Sequence, residues 1–239
     1  MGLIAARSLP YPRHWALIGR RSSGKSTFLT AMAQKILVID LEGRAREIEG
    51  VNGAQVMTLD LPDRHDAFQI SREIGANAQE IHQQDIRLIG VDSLTTILKR
   101  DNAAAMTTNQ RGLLKNSAAA FVDKSLNLRL IQESAVSLGL DIALIWHLEE
   151  GRDSRGQTKV DQTVGPMERE RLRRSLNAAI VLEHKNGRRT ARISWSRSFG
   201  NTLQAVQVED TLGFWKGVPE QLDLLLQHGL PVTASQNVS

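Results

Sequence analysis

The sequence predicts an α/β fold, with a mostly parallel sheet sandwiched by helices and antiparallel strands added at its C-terminal edge. Three observations carry that expectation. Short apolar runs bounded by turn residues alternate with longer helical patterns as far as Trp146, a glycine-rich turn joins the first run to the first helix, and an Asn-Gly pair separates two late apolar runs.

Residues 14–18 read as the first buried strand, and residues 36–39, 55–59, 86–91 and 141–146 as the next four. Helical patterns fill 25–34, 65–83 and 93–138, the last broken near 109–112. Parallel strands need crossover connections, so this alternation places helices over both faces of one sheet. After Trp146 the rhythm changes. Residues 149–170 are polar, lack apolar periodicity and read as a long loop with a short helix near its end. A strand resumes over 177–183, and Asn186-Gly187 between it and 191–195 predicts a hairpin, because these residue types tolerate the positive φ of a tight turn. Residues 219–227, with leucines at 222, 224, 225 and 226, predict a closing helix. The expected organisation is one domain over 1–230 and a flexible tail over 231–239.

At 239 residues, 41% hydrophobic and 23% charged, the composition is that of a globular protein with a substantial core. The absence of cysteine excludes disulfides, thiolate metal sites and a cysteine nucleophile, and agrees with a reducing, cytoplasmic location. No apolar run suits a signal peptide or a membrane span, so no membrane partner is expected. Thirty basic against 26 acidic side chains leave a net charge of +4, a modest excess that permits nucleic-acid binding without requiring it.

The chemistry is concentrated in Gly19, Arg20, Arg21, Ser22, Ser23, Gly24, Lys25, Ser26 and Thr27, which spell the full phosphate-binding loop pattern directly between a strand and a helix. In that context backbone N–H groups face phosphate oxygens, Lys25 reaches the β and γ phosphates, and the Ser26 hydroxyl ligates magnesium. Asp92, at the tip of the fourth strand, supplies the acid that orients the metal, a role compatible with capping the helix that follows. Val38-Ile39-Asp40-Leu41-Glu42-Gly43 ends the second strand with two acids on one face, Glu42 as the water-activating base and Asp40 in support; the alternative is that one of them caps the following turn.

These segments, together with Val91-Asp92-Ser93 and Leu144-Ile145-Trp146-His147, resemble the RecA-like ATPases over roughly residues 15–199. The similarity is to compact phage and bacterial members related to recombinases and single-strand annealing helpers. It implies ATP and Mg2+ as cofactors, Glu42 as the base and His147 as the sensor of the γ-phosphate, although a strand-end histidine also serves as an ordinary hydrogen-bonding group. It also implies a single-stranded DNA contact in the stretch 149–174, through Arg152, Arg155, Lys159, Arg169, Arg171, Arg173 and Arg174. Acidic residues are interleaved there, so a solvated loop is the competing reading. The resemblance further implies a homo-oligomer with its active site between subunits, completed by a basic residue from a neighbour. Arg197 is the first candidate, with Lys185 and Arg189 in reserve. The short stretch ahead of the first strand departs from full-length recombinases and argues against a long filament.

Two functions follow. The first is an ATPase acting on or with single-stranded DNA in recombination, annealing or replication, of phage or mobile-element type. The second is an ATP-driven regulator or assembly switch of KaiC-like kind that acts on a protein partner. A small-molecule kinase, with the arginines as a lid, has less use for Glu42.

Overall fold

A computed structural model describes residues 13–110, 122–152, 155, 157–204 and 206–229. One sheet organises them. Strands β1 (His14–Gly19), β2 (Lys35–Asp40), β3 (Gln55–Thr58), β4 (Leu88–Asp92), β5 (Asp141–Arg152) and β7 (Ala178–Lys185) lie in the order β3-β2-β4-β5-β1-β7, every neighbour parallel. Strands β8 (Arg188–Ser196) and β9 (Gln207–Glu209) extend the β7 side antiparallel, as the C-terminal hairpin signal predicts. The turn at Asn186 and Gly187 has φ of 51° and 78°.

Strand alternation divides the core into two layers. Ala16 and Ile18 of β1 with Ile142, Leu144 and Trp146 of β5 face one side, against helices α2 (Ala67–Ala76), α4 (Leu94–Gln110), α5 (Val122–Ser137) and α6 (Pro166–Arg173). Trp15, Leu17, Ala143 and Ile145 face the other, against α1 (Lys25–Met32) and α7 (Val218–His228). Both faces of the parallel strands are therefore apolar, which is why they read as continuous hydrophobic runs.

Two expectations are corrected. The helix expected over 65–83 is two, because Asn77 leaves helical geometry and turns its side-chain amide onto the Glu73 carbonyl at 2.8 Å; α3 (Ala78–Gln83) follows. The break expected near 109–112 lies largely outside the described residues, which resume at α5 after α4 reaches Gln110. The stretch 149–170 is not a loop: β5 continues to Arg152 and pairs antiparallel with β6 (Thr158–Gln162), Leu148 opposite Gln162 and Arg152 opposite Thr158. This ribbon projects from the sheet with both faces wet, so it needs no apolar alternation and shows none. Among the described residues no helix is long and apolar enough to cross a membrane.

Candidate active site

The glycine-rich turn leaves β1 at Gly19 and enters α1 at Gly24, whose φ of 84° is left-handed. Both glycines are forced by close approach as well. A Cβ on Gly19 would lie 2.6 Å from the Leu182 carbonyl, and one on Gly24 would lie 2.6 Å from the Trp215 indole nitrogen. The Trp215 Nε1–H donates to the Gly24 carbonyl at 2.9 Å from a fully buried ring, which packs edge-on against Phe28 with 5.5 Å between centroids. A segment nearly 200 residues downstream thus holds the base of the loop.

Lys25 is 6% exposed, and its ammonium donates to the Gly19 carbonyl at 3.0 Å and the Arg20 carbonyl at 2.6 Å. No carboxylate lies within ion-pairing distance of it among the described residues. Burial lowers its pKa to about 8, against the raising influence of the Asp92 and Glu42 charges. A buried cation held only by carbonyls fits a site that receives a polyanion.

Ser26, in the first turn of α1, donates its hydroxyl proton to Asp92 Oδ2 across the site. Asp92 is 8% exposed; burial raises its pKa, with the Ser26 hydrogen bond opposing. A hydroxyl and a carboxylate that converge are hard oxygen donors of the sort magnesium takes alongside phosphate and water. Among the described residues no group of three or more His, Cys, Asp or Glu side chains is placed to hold a metal ion by itself.

Glu42 lies beyond the end of β2, where the Leu41 N–H donates to the Asp92 carbonyl at 2.8 Å and brings the segment alongside β4. Its Oε1 accepts from the Ser93 hydroxyl at 2.8 Å and from His147 Nε2 at 3.0 Å. Partial burial raises the Glu42 pKa, but these two hydrogen bonds, together with the charges of His147 and Arg44, outweigh it and hold the carboxyl below its ordinary value. The structure therefore joins Glu42 and His147. β5 lies between β4 and β1 with His147 opposite Gly19, which places the imidazole between the acid strand and the phosphate loop. Two threonines fix the strand at this residue: the His147 backbone N–H is shared by the hydroxyls of Thr95 at 3.1 Å and Thr163 at 3.2 Å.

Asp40 follows the alternative reading rather than supporting Glu42. Both its oxygens accept backbone N–H groups, from Arg44 and Ala45 at 2.9 Å each, capping the 3₁₀ turn Ala45–Glu47. β2 ends at Asp40, so the period of two that would align it with Glu42 stops there.

The seven cations expected to contact DNA are not one cluster. Arg152, Arg155 and Lys159 sit exposed on the β5–β6 ribbon, with Lys159 paired to Asp161 at 2.7 Å. Arg169, Arg171, Arg173 and Arg174 follow α6 to the opposite end of the sheet, where Arg173 lies over the Trp195 ring at 5.2 Å. Arg197 is at that far end too, donating to the Arg173 and Arg174 carbonyls at 3.4 and 2.5 Å. It lies six positions beyond Ala191, which is level with Gly19, so it stands about 20 Å from the phosphate loop of its own chain. Lys185 and Arg189, at the β7–β8 turn, are on the loop's end of the sheet. Arg20 pairs with Glu150 and Arg21 is exposed.

Sequence reasoning missed Ser93 and Trp215. A hydroxyl directly after the strand-end acid was a usable signal for the first; nothing local marks the second. A family model described as AAA domain matches residues 12–192. No curated protein matches the sequence. Among solved structures, a KaiC-like protein from the hyperthermophilic archaeon Pyrococcus horikoshii OT3 is 14% identical, covers 84% of this chain and 85% of its own, and has a TM-score of 0.46.

Proposed function

This chain belongs to the AAA domain family, and from that premise we propose that it hydrolyses ATP with magnesium at the phosphate-loop end of the sheet and acts on or with single-stranded DNA. The observation that carries the reading is the convergence of three arrangements: the unpaired Lys25 ammonium, the Ser26–Asp92 pair, and Glu42 held by Ser93 and His147. Ser26 and Asp92 would hold magnesium, which would supply neutralising charge to the terminal phosphates.

The chain's own groups divide the remaining work. Lys25, still largely protonated at neutral pH, binds the terminal phosphates. Glu42 is ionised, and both described hydrogen bonds fall on Oε1, leaving Oε2 to take a proton from the attacking water. His147 fixes that orientation from the strand beside the loop. In a homo-oligomer with the site between subunits, a neighbour's cation would complete it.

The DNA part rests on Arg152, Arg155 and Lys159, exposed on a ribbon that springs from the same strand as His147. Backbone phosphate contacts by such residues are sequence-tolerant and salt-dependent. The acids interleaved on the ribbon, with Lys159 engaged by Asp161, favour the second reading, a protein partner. Steady-state ATP hydrolysis with and without single-stranded DNA, at two salt concentrations and with Lys25→Ala as blank, separates them. Stimulation that weakens with salt supports DNA, whereas turnover indifferent to DNA favours the protein partner. Wild-type turnover no greater than the blank removes the ATPase reading.

A further inference from the structure

We propose that Glu150 is a positioning residue that regulates nucleotide binding by holding Arg20, so that the phosphate loop and the β5–β6 ribbon share one guanidinium. The inference rests on the phosphate-loop reading above. Arg20 is the first residue of the loop after Gly19, and two of its contacts, with Lys25 and with Glu150, differ in kind. Its carbonyl accepts from the Lys25 ammonium at 2.6 Å, and its side chain forms an ion pair with Glu150 on the ribbon.

Glu150 is placed to act on the loop. Adjacent residues of a strand point to opposite faces. Accordingly Glu149 reaches Lys99 of α4 at 2.5 Å while Glu150 reaches Arg20, and the ribbon is tied on both faces at its root. Three residues earlier the same strand contacts Glu42 through His147. The Arg20–Glu150 side chains are 55% and 52% exposed, so the pair is weak and open to competition.

A polyphosphate entering the loop competes for both partners of Arg20. The Lys25 ammonium leaves the Arg20 carbonyl for phosphate, and the guanidinium exchanges one carboxylate for a more highly charged acceptor that it grips with forked donors. Glu150 is then released, and the ribbon loses the tie on its loop-facing side. Linkage makes the effect reciprocal: a ligand on the ribbon that draws Glu150 away tightens nucleotide binding by the same factor that nucleotide tightens the ligand.

The test is calorimetric titration of the full chain with Mg-ATP, for wild type, Glu150→Gln, Arg20→Ala and the double variant. Freed from its carboxylate, Arg20 should bind phosphate more tightly, so Glu150→Gln is expected to lower Kd by about two- to five-fold, the scale of an exposed ion pair. On the Arg20→Ala background the same change should do nothing. Hydrogen exchange across 148–162 should rise on ATP binding in wild type and be already raised in Glu150→Gln. A Glu150→Gln Kd equal to wild type, or an effect that survives Arg20→Ala, overturns the proposal while leaving the ATP site intact. A wild-type chain that binds ATP no better than Lys25→Ala removes the phosphate-loop reading itself, and the positioning role with it.

Discussion

Lys25 and Glu42 set opposite limits on when the site can work. The Lys25 ammonium, lowered to about 8 by burial, must be charged to bind phosphate. Since kcat/KM reports the free enzyme, its value for ATP should fall as pH rises through about 8. A profile flat far into the alkaline range would show that Lys25 keeps its proton. Glu42 is held below the ordinary carboxyl range by Ser93 and His147, so it is ionised throughout that interval. Glu42→Gln should bind ATP as wild type does and lose about 10²- to 10⁴-fold in kcat, the usual share of a general base. Unchanged turnover would take the role from Glu42. These residues were legible in sequence because a phosphate loop is contiguous and a strand-end acid is recognisable by its apolar approach. The partners that tune them were not. Ser93, Thr95 and Thr163 are ordinary hydroxyl residues until the fold sets them around Glu42 and His147.

Elements that hold the site in place were harder to read than the site. Asp40 resembles a second catalytic acid by spacing, yet it terminates β2 by capping the turn after it. Asp40→Ala should therefore lower stability by about 0.5 to 2 kcal/mol, as loss of a helix cap does, seen as a fall in Tm with kcat retained. A collapse of kcat at unchanged Tm would return Asp40 to the chemistry. Trp215 is the reverse case, a residue with no motif that supports the loop from beneath. Trp215→Ala removes a fully buried ring against Phe28 and the bond to the Gly24 carbonyl, and should cost about 3 to 5 kcal/mol. Trp215→Phe, which keeps an aromatic ring against Phe28 and loses the N–H that holds the loop, should recover most of that stability while raising KM for ATP. Parallel strands and the Asn-Gly hairpin were readable because burial and turn geometry act locally. The β5–β6 ribbon was not, since its charged residues pair across to α4 and to the phosphate loop rather than with each other alone.

At the scale of the molecule, strand direction decides which cations can serve the site. The parallel strands all run toward the end where Gly19 opens the loop, so the extension of β5 and its partner β6 carry Arg152 and Lys159 out beyond that end. α6 then returns the chain to the opposite end, taking Arg173 and Arg174 with it, and the antiparallel β8 brings Arg197 to the same place. A sequence stretch dense in arginine thus becomes two separate surfaces, and one ligand coupled to ATP hydrolysis has reason to use only the first. If single-stranded DNA is that ligand, each ribbon cation that neutralises a phosphate contributes about 0.7 to the slope of log K against log salt. Arg152→Ala and Lys159→Ala should each reduce the slope by that amount and lower the stimulation of ATP turnover. Arg173→Ala should leave both unchanged, its side chain being engaged on Trp195. Salt-dependent fluorescence anisotropy with a labelled oligonucleotide reads the slope directly. Loss confined to Arg173→Ala would put the DNA at the far end of the sheet, away from Glu42.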